Sequence, residues 1–283
     1  MRIGVHVSIG KGLRQAVQTA KHLGCDAFQI FIGNPRGWKK KPLADQEVVE
    51  FRQAVQETGL GPVVVHLSYL PNPAAEDEAL YEKSILGMAE EYQRAVMIGA
   101  DYFVVHPGKR GRQDQEKALL KVARGVREIL KQVEGPTLFL LENQAGAGTE
   151  VGGNLSQLVR ILKEIDHPER TGICFDTCHA FAAGYELRTK EGIDCLLKEV
   201  ESTVGLKRMP LLHLNDALGA LGSHLDRHTH IGQGQIGTEG FRLLLTDPRL
   251  SGLTGILETP QQTPDDDLKN MALLRQLACG EAR

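Results

Sequence analysis

Three histidines and three carboxylates recur along the chain, and each lies in or directly after a short apolar run. In chain order they are His66, His106, Glu142, Asp176, His213 and Glu258. Successive members are 34 to 45 residues apart, about the length of one strand–helix unit. Imidazole and carboxylate groups are ligands of zinc, manganese and iron. If the apolar runs are neighbouring strands, the pattern predicts a metal site, because carboxylates that meet in one place repel unless a cation neutralises them.

Two short motifs add three further candidate ligands. DTCH (176–179) places His179 three residues after Asp176, and DRHTH (226–230) contains Asp226 and His228. Alternate residues of an extended chain point the same way, so Asp226 and His228 are predicted to face one ion together. Because one zinc takes about three or four protein ligands, nine candidates are enough for two or three ions with a carboxylate shared between two of them. A single histidine at a strand end is more often structural, so the metal interpretation depends on the recurrence.

The elements that must position these residues are eight β-branched runs, each followed by an amphipathic segment. The runs are IGVHV (3–7), FQIFI (28–32), VVVH (63–66), FVVH (103–106), LFLLE (138–142), ICFD (173–176), LLHL (211–214) and GILE (255–258). They are continuously apolar, as expected for parallel strands buried on both faces. The predicted helices are Leu13–Leu23, Asp45–Glu57, Glu78–Ile98, Gln115–Val133, Leu155–Ile165, Gly192–Val204, Glu239–Leu245 and Asp265–Leu277. Eight such units predict a single TIM-type (β/α)8 barrel domain over residues 1–283, with its active site at the C-terminal ends of the strands.

Composition favours a folded protein and excludes several classes. Of the 283 residues, 41% are hydrophobic and 24% are charged, which excludes a disordered or collagen-like chain. The net charge of −3 does not by itself indicate a nucleic-acid-binding domain, since such domains are usually basic. Five cysteines without paired spacing favour a reducing compartment. With neither a signal peptide nor a membrane span in the sequence, we expect a cytoplasmic protein without membrane contacts.

Two patterns near the candidate ligands receive a structural interpretation. GQGQIG (232–237) matches the dinucleotide fingerprint, but no strand precedes it, so no nucleotide cofactor is expected. Its glycines are expected to permit tight turns. Cys174 and Cys178 flank Asp176 and are expected to be small buried residues. Cys178 is further expected to point away from the ligands if residues 176–179 are extended.

Four longer motifs resemble one known family. LENQAG (141–146), FDTCHAFAAGY (175–185), HLNDA (213–217) and DRHTHIGQGQIG (226–237) resemble endonuclease IV, the zinc-dependent apurinic/apyrimidinic (AP) endonuclease family 2. The resemblance extends from GVHVS (4–8) to ILET (256–259). It implies three zinc ions per chain, with Mn²⁺ as a substitute. The first would be held by His66 and His106, with Glu142 bridging to the second. The second would be completed by Asp176, His213 and Glu258, and the third would be held by His179, Asp226 and His228.

The resemblance also implies an activity and a partner. A member of this family would hydrolyse double-stranded DNA on the 5′ side of an abasic site, leaving a 3′-hydroxyl and a 5′-deoxyribose phosphate, and would remove 3′-blocking groups. Glu142 would be the catalytic carboxylate through its bridging position, and a monomer would suffice. Three divalent ions would add six positive charges at the barrel mouth, which would change the net charge of the whole protein from −3 to +3.

Candidate DNA contacts lie in the loops that follow the predicted strands. Arg36 and Tyr69 match the family's DNA-penetrating positions. Basic residues in the loops after the second and fourth strands are predicted to face the phosphate backbone; they are Arg36, Lys39, Lys40, Lys41, Lys109, Arg110 and Arg112. For Tyr69, a simple turn aromatic is the alternative interpretation, and for the lysine run a solvated charged segment is the alternative.

Two other functions are compatible with parts of the sequence. A sugar isomerase or epimerase would use a similar barrel with one or two metal ions and a proton-transferring acid or base. The trio His179, Asp226 and His228 argues against it, because this trio builds a third site. A non-catalytic protein that binds damaged DNA or metal is the second alternative, and a missing ligand would support it; the sequence retains all nine.

Overall fold

Eight parallel strands form a closed barrel in the computed structural model, which describes residues 1–280. The first seven are β1 (Arg2–His6), β2 (Ala27–Phe31), β3 (Val63–His66), β4 (Tyr102–Val105), β5 (Leu138–Glu142), β6 (Thr171–Asp176) and β7 (Leu211–His213). An antiparallel pair follows, β8 (Asp216–Ala217) and β9 (His228–Thr229), and β10 (Thr254–Leu257) completes the strands. Because β10 pairs in parallel with both β7 and β1, the ring is closed. The predicted barrel is confirmed, although residues 281–283 of the predicted domain lie outside the described residues.

The register of the strands explains why the candidate ligands meet. One apolar residue from each of seven strands fills the barrel interior; they are Ala27, Val64, Val104, Leu140, Cys174, Leu211 and Ile256. Side chains two residues apart in a strand point the same way. The next inward layer towards the mouth therefore consists of Gln29, His66, His106, Glu142, Asp176, His213 and Glu258. Six of these seven are the recurring residues of the sequence, and an apolar plug lies directly beneath them. We call these six the strand layer.

Nine α-helices surround the barrel in the described residues. They are α1 (Leu13–His22), α2 (Asp45–Thr58), α3 (Glu78–Ile98), α4 (Gln115–Gln132), α5 (Leu155–Ile165), α6 (Thr177–Ala183), α7 (Lys190–Thr203), α8 (Gly237–Thr246) and α9 (Asp266–Ala278). Eight were predicted, within a few residues at each end. None of the helices in residues 1–280 combines the length and the apolar character that crossing a bilayer requires.

The short helix α6 is the element that the sequence prediction missed. Asp176 ends β6 and caps α6, because its carboxylate accepts a hydrogen bond from the His179 backbone N–H at 2.7 Å. The orientation expected of Cys178 depended on an extended chain over residues 176–179, and that condition is not met beyond Asp176. The helical turn still brings His179 to the mouth of the barrel beside Asp176.

A second departure from a plain barrel lies between β7 and α8. Residues 214–236, which we call the excursion, leave the barrel and return through the β8–β9 pair. This segment carries Asp226 and His228. In β9 the chain is extended, as was predicted for the stretch that includes His228.

Candidate metal centre

The first group of candidate ligands joins three neighbouring strands. His66 Nε2 lies 3.2 Å from Glu142 Oε2, and His106 Nε2 lies 3.1 Å from the same oxygen. One ligand atom from each of the three side chains lies within 4.8 Å of the other two. This spacing fits a single ion held by two imidazoles and one carboxylate oxygen.

The second group uses the other oxygen of Glu142. His213 Nδ1 lies 2.9 Å from Glu142 Oε1, 3.2 Å from Glu258 Oε2 and 3.9 Å from Asp176 Oδ2. Potential ligand atoms of all four side chains lie within 4.8 Å of one another. Since the two oxygens of Glu142 face different groups, its carboxylate is placed as a bridge between them.

The third group lies beside the first two and consists of His179 on α6 with Asp226 and His228 on the excursion. Asp226 Oδ1 lies 3.2 Å from His179 Nε2 and 3.5 Å from His228 Nε2. His228 Nε2 is buried and has no hydrogen-bond partner within residues 1–280. A buried nitrogen left without a partner is costly unless something else binds it. The orphaned lone pair, next to a carboxylate and a second imidazole, fits a cation.

Backbone carbonyls orient three of the five imidazoles. His66 Nδ1 lies 2.7 Å from Leu67 O, His179 Nδ1 lies 2.9 Å from Asn143 O, and His228 Nδ1 lies 3.3 Å from Glu258 O. Because a carbonyl oxygen only accepts, each Nδ1 donates its proton and each Nε2 directs a lone pair into its group of ligands. Metal-binding histidines are commonly held in this way. The residues present therefore fit metal ions.

Polar residues behind the ligands complete the centre, and the sequence prediction assigned them no role. Gln29 donates to Glu258 Oε1 at 2.6 Å, and its own oxygen lies 2.9 Å from His213 Nε2. Asn215 donates to Asp176 Oδ2 at 2.6 Å and accepts from the Glu258 backbone N–H at 2.8 Å. Gln29 could have been found from its register, since it lies two residues after the inward-facing Ala27.

The carboxylates and imidazoles of the centre shift one another's pKa values. Burial alone would raise the pKa of Glu142, but the neighbouring His213 and His106 hold it well below its ordinary value. The pKa of Glu258 falls to about 2, because burial, which would raise it, is outweighed by His213 and the other nearby imidazoles. For His179, the nearby Asp176 and the hydrogen bond to Asp226 overcome burial and raise the pKa well above its ordinary value. The pKa values of His66 and His213 are raised in the same way by the nearby carboxylates, despite their burial, so protons on these imidazoles can balance the carboxylates and a divalent ion can replace them.

The two cysteines near Asp176 are buried, as predicted. Burial raises the pKa of both Cys174 and Cys178 to about 12. Their thiols therefore stay protonated near neutral pH, and thiolate is the form that binds metal. Their sulfur atoms do lie close to candidate ligands, Cys174 beside Glu142 and His213, and Cys178 beside Asp176 and His228.

The glycine-rich loop of the excursion is filled by a side chain of the protein itself. The buried carboxylate of Asp216 accepts hydrogen bonds from the backbone N–H groups of Gly232, Gly234 and Ile236 at 2.9 to 3.0 Å. A Cβ at Gly234 would lie 2.4 Å from Asp216 Oδ1, which explains the glycine there. These N–H groups thus anchor the glycine-rich loop to β8, within the excursion. Asp216 received no role from the sequence, although it lies within the HLNDA motif.

Arg36 and Tyr69 both line the cavity at the barrel mouth. Its volume is about 1470 Å³, and its walls also include His66, His106, Asp226 and Glu258. Arg36 is exposed, and the Tyr69 side chain is 63% exposed. The ring of Tyr69 packs edge-on against Phe31, with 5.1 Å between centroids. The structure therefore places both predicted DNA contacts beside the candidate ligands.

The basic residues near the mouth divide into free and paired groups. Lys39 and Lys41 line the cavity. Lys40 does not: its side chain is only 3% exposed, and its ammonium lies 3.1 Å from Glu91. The prediction that Lys40 faces DNA is therefore wrong. Lys109 is 64% exposed and lies 3.6 Å from Glu150.

The barrel and the ligand groups at its mouth define a TIM-barrel protein built to hold metal ions at the C-terminal ends of its strands. Residues 17–277 match the family described as a xylose isomerase-like TIM barrel. A probable endonuclease 4 from Methanoculleus marisnigri is 46% identical over 277 residues, which cover 98% of each chain. A probable endonuclease 4 from Chloroflexus aurantiacus is 44% identical over 281 residues, 99% of each chain.

Comparison with solved structures also finds an endonuclease IV. The crystal structure of endonuclease IV from Thermus thermophilus superposes with a TM-score of 0.88 at 38% identity, covering 99% of this chain and 100% of that one. The chain belongs to the endonuclease IV family and is an enzyme of the endonuclease class. A D-tagatose 3-epimerase-like protein also superposes, with a TM-score of 0.73 at 20% identity over 98% of this chain and 97% of that one, which reflects the shared barrel alone.

Proposed function

We propose that this enzyme acts in DNA base-excision repair and hydrolyses the DNA backbone on the 5′ side of abasic sites. Its products would be a 3′-hydroxyl and a 5′-deoxyribose phosphate, and it would also remove 3′-blocking groups. The observation that carries the proposal is the division of nine side chains into three adjoining groups, with Glu142 shared by two of them. The names of the relatives support the endonuclease class.

Three zinc ions would be held by these groups, and Mn²⁺ would be a substitute. His66, His106 and Glu142 would hold one ion. Glu142, Asp176, His213 and Glu258 would hold the next, and His179, Asp226 and His228 would hold the last. When bound, such ions activate water for attack and neutralise charge at the phosphate and the leaving oxygen.

The chain's own residues would fix the reaction site. Glu142 is fully buried, and each of its oxygens faces a different group, so it sets the relation between two ion sites. Asn215 holds the carboxylates of Asp176 and Glu258 in place through its amide. The pKa of Glu142 is well below its ordinary value, so it stays ionised and able to bridge throughout the neutral range.

Double-stranded DNA with an abasic site would dock across the mouth of the barrel. An abasic site leaves a gap in the base stack, which a side chain inserted from the protein can fill. Arg36 and Tyr69 are exposed at the edge of the cavity and are proposed to enter this gap. Lys39 and Lys41 lie on the same rim and would contact phosphates. All nine candidate ligands come from one chain, so we propose a single-domain enzyme that acts as a monomer.

The test is cleavage of a duplex oligonucleotide that contains one synthetic abasic site, with metal-loaded protein. We expect strand cleavage that leaves a 3′-hydroxyl. Glu142→Gln keeps the shape of the side chain but removes the bridging charge, and it should lower the rate by at least about 100-fold. Glu128→Gln, on the exposed face of α4, is the matched control and should cleave like the wild type.

Two results would overturn the proposal. An intact duplex, from protein shown to carry its metal ions, would redirect attention to sugar substrates and to the isomerase and epimerase relatives of the fold. Equal cleavage by the Glu142→Gln variant would show that the reaction does not require the bridging carboxylate.

A further inference from the structure

One face of α3 holds the loop that carries Arg36. This loop, residues 32–44, connects β2 to α2 and contains no regular secondary structure in its interior. Lys83, Gly87, Glu91 and Arg94 are spaced four, four and three residues apart, so they form one stripe along α3. Lys83 Nζ lies 4.3 Å from the centre of the Trp38 ring, and a Cβ at Gly87 would lie 3.5 Å from the same ring. The Arg94 guanidinium donates to Lys41 O at 2.7 Å.

Glu91, in the middle of this stripe, joins the loop to a second one. Its side chain is 1% exposed, and it lies 3.1 Å from the ammonium of Lys40. Its carboxylate also accepts from the Ser68 backbone N–H at 3.0 Å and from the Ser68 hydroxyl at 2.5 Å. Ser68 directly precedes Tyr69 in the loop between β3 and α3. A single buried carboxylate therefore contacts both loops that carry the proposed DNA contacts.

The contacts around this carboxylate reach both sides of Arg36. The Lys40 ammonium also donates to Asn34 O at 2.8 Å and to Gly37 O at 3.0 Å. The two loops meet directly as well, because the Tyr69 backbone N–H donates to Pro35 O at 3.0 Å. The backbone of Arg36 and the backbone of Tyr69 are therefore both fixed from beneath, while their side chains remain exposed to the mouth.

A buried ion pair adds little to stability by itself, because the cost of removing two charges from water offsets much of their mutual attraction. What a fully satisfied pair does supply is a defined geometry. Neither Lys40 nor Glu91 is one of the nine candidate ligands. We propose that Glu91, with Lys40 and Ser68, is a positioning device that presets Arg36 and Tyr69 for entry into abasic DNA. The inference depends on the proposed function.

The test measures KM and kcat on the abasic duplex for wild type, Glu91→Gln and the double variant Lys40→Met/Glu91→Gln, along with metal content and Tm. Glu91→Gln should raise KM roughly 10- to 100-fold, by analogy with the cost of removing a partner that orients a metal ligand. Metal content should be unchanged, and kcat at saturating DNA should change less than about threefold, because this pair supports binding rather than the chemical step. Tyr69→Ala gives the reference for loss of the DNA contact itself.

The double variant separates positioning from folding. Glu91→Gln leaves a buried lysine unpaired, which lowers Tm, whereas Lys40→Met/Glu91→Gln removes both charges and should recover much of the Tm. Its KM should stay high, because the geometry is still lost. Ser68→Ala keeps the ion pair and should raise KM by a smaller factor. It also serves as the test if Glu91→Gln does not fold.

The control is a second lysine–glutamate pair that also involves α3, in which the lysine is buried and the glutamate is 59% exposed. Lys121, on α4, is 8% exposed and lies 2.7 Å from Glu78. It reaches the loop between β3 and α3 only near its far end, where it donates to Ala75 O. Lys121→Met should therefore leave KM at the wild-type value.

The outcomes distinguish the two proposals. A wild-type protein that does not cleave the abasic duplex would reject the proposed function. Cleavage by wild type with an unchanged KM in Glu91→Gln would reject the positioning device alone, as would a double variant in which KM and Tm recover together.

Discussion

The strand layer and the excursion supply candidate ligands in two different ways. Glu142, Asp176 and His213 belong to barrel strands, and their side chains are fully buried. Asp226 and His228 belong to the excursion, and their side chains are 47% and 19% exposed. The strand layer is fixed by register, since each member lies two residues beyond a residue of the apolar plug. The excursion is held in shape from within, by hydrogen bonds between the Asp216 carboxylate and the backbone of its own glycine-rich loop.

The two regions therefore differ in how freely their ligands can move. A ligand on a barrel strand cannot move without disturbing the hydrogen bonds on both sides of it. A ligand on the excursion can shift without disturbing the hydrogen bonds of the barrel. We therefore expect changes in the strand layer to affect metal binding, activity and folding together, and changes in the excursion to affect the third ion alone.

The largest effect should come from Asp176→Asn. Asp176 is a candidate ligand, caps α6 and accepts a hydrogen bond from Asn215. The substitution should lower activity on abasic DNA by about 100- to 1000-fold, and it should lower the free energy of unfolding by about 1–3 kcal/mol because buried polar groups lose partners. Denaturant titration and a cleavage assay measure both. If Asp176→Asn unfolds with the wild-type free energy, the ligands of the strand layer do not also contribute to folding.

Asp226→Asn is the matched change in the excursion. It should reduce the metal content from three ions per chain to two and lower activity, by a smaller factor than Asp176→Asn. The free energy of unfolding should change by less than about 1 kcal/mol, because the side chain is half-exposed. Elemental analysis and denaturant titration measure these effects. Loss of all metal ions, or a stability loss as large as that of Asp176→Asn, would remove the distinction between the two regions.

Gly234→Ala tests how the excursion is held. The new Cβ would lie 2.4 Å from Asp216 Oδ1 and 2.5 Å from Ala217 O, so the loop must shift. Overpacking of this kind costs about 1–3 kcal/mol. We expect weaker binding of the third ion in a chelator competition, while the other two ions stay bound. Gly252→Ala is the control, since its Cβ would meet no atom within 4 Å. Unchanged chelator resistance in Gly234→Ala would contradict the anchoring role of Asp216.

The smallest effect concerns the pH dependence of the metal-free protein. The pKa values of Glu258 and Asp226 fall to about 2 in the folded state, from 4.5 and 3.8. Their contribution to stability is therefore present above those ordinary values and is lost as pH falls towards 2. The pKa of His179 is raised well above 6.5, so its contribution is present below 6.5 and is lost as pH rises through the higher value.

Both contributions are complete only between about pH 4.5 and 6.5, and the Tm of the metal-free protein should be highest there. The metal-loaded protein should behave differently, because ions bind deprotonated imidazole and the gain in Tm from metal should grow as pH rises. Thermal unfolding of both forms across the acidic, neutral and alkaline ranges measures the difference. A metal-free Tm that keeps rising through the neutral range would contradict the coupling between His179 and its carboxylates.

The strand layer could be predicted from the sequence because buried parallel strands are continuous apolar runs, and a polar residue at the end of such a run is conspicuous. Gln29 was overlooked because it lies inside its run, FQIFI, and only the register shows that it points inward. The trio His179, Asp226 and His228 was recognised from motifs. Its supports, α6 and the β8–β9 pair, were not predicted, because elements of seven and two residues have too few positions to show a periodicity.

The wrong prediction for Lys40 has a different cause. Three consecutive lysines look like a solvated or DNA-facing segment, and the partner that buries the middle one, Glu91, lies on a helix 51 residues further along the chain. Asp216 is similar, since its hydrogen bonds reach 16 to 21 residues ahead. Local sequence does not specify such tertiary partners, so the residues that hold loops in place become visible only in the folded chain.

The central claim is that the mouth of the barrel holds three metal ions, two in the strand layer and one between His179 of α6 and the excursion. Elemental analysis of purified protein, with protein concentration from amino-acid analysis, tests it most directly. We predict three zinc equivalents per chain for the wild type and two for Asp226→Asn. One or two equivalents in the wild type, unchanged by Asp226→Asn, would contradict the account and favour the sugar isomerase and epimerase arrangement.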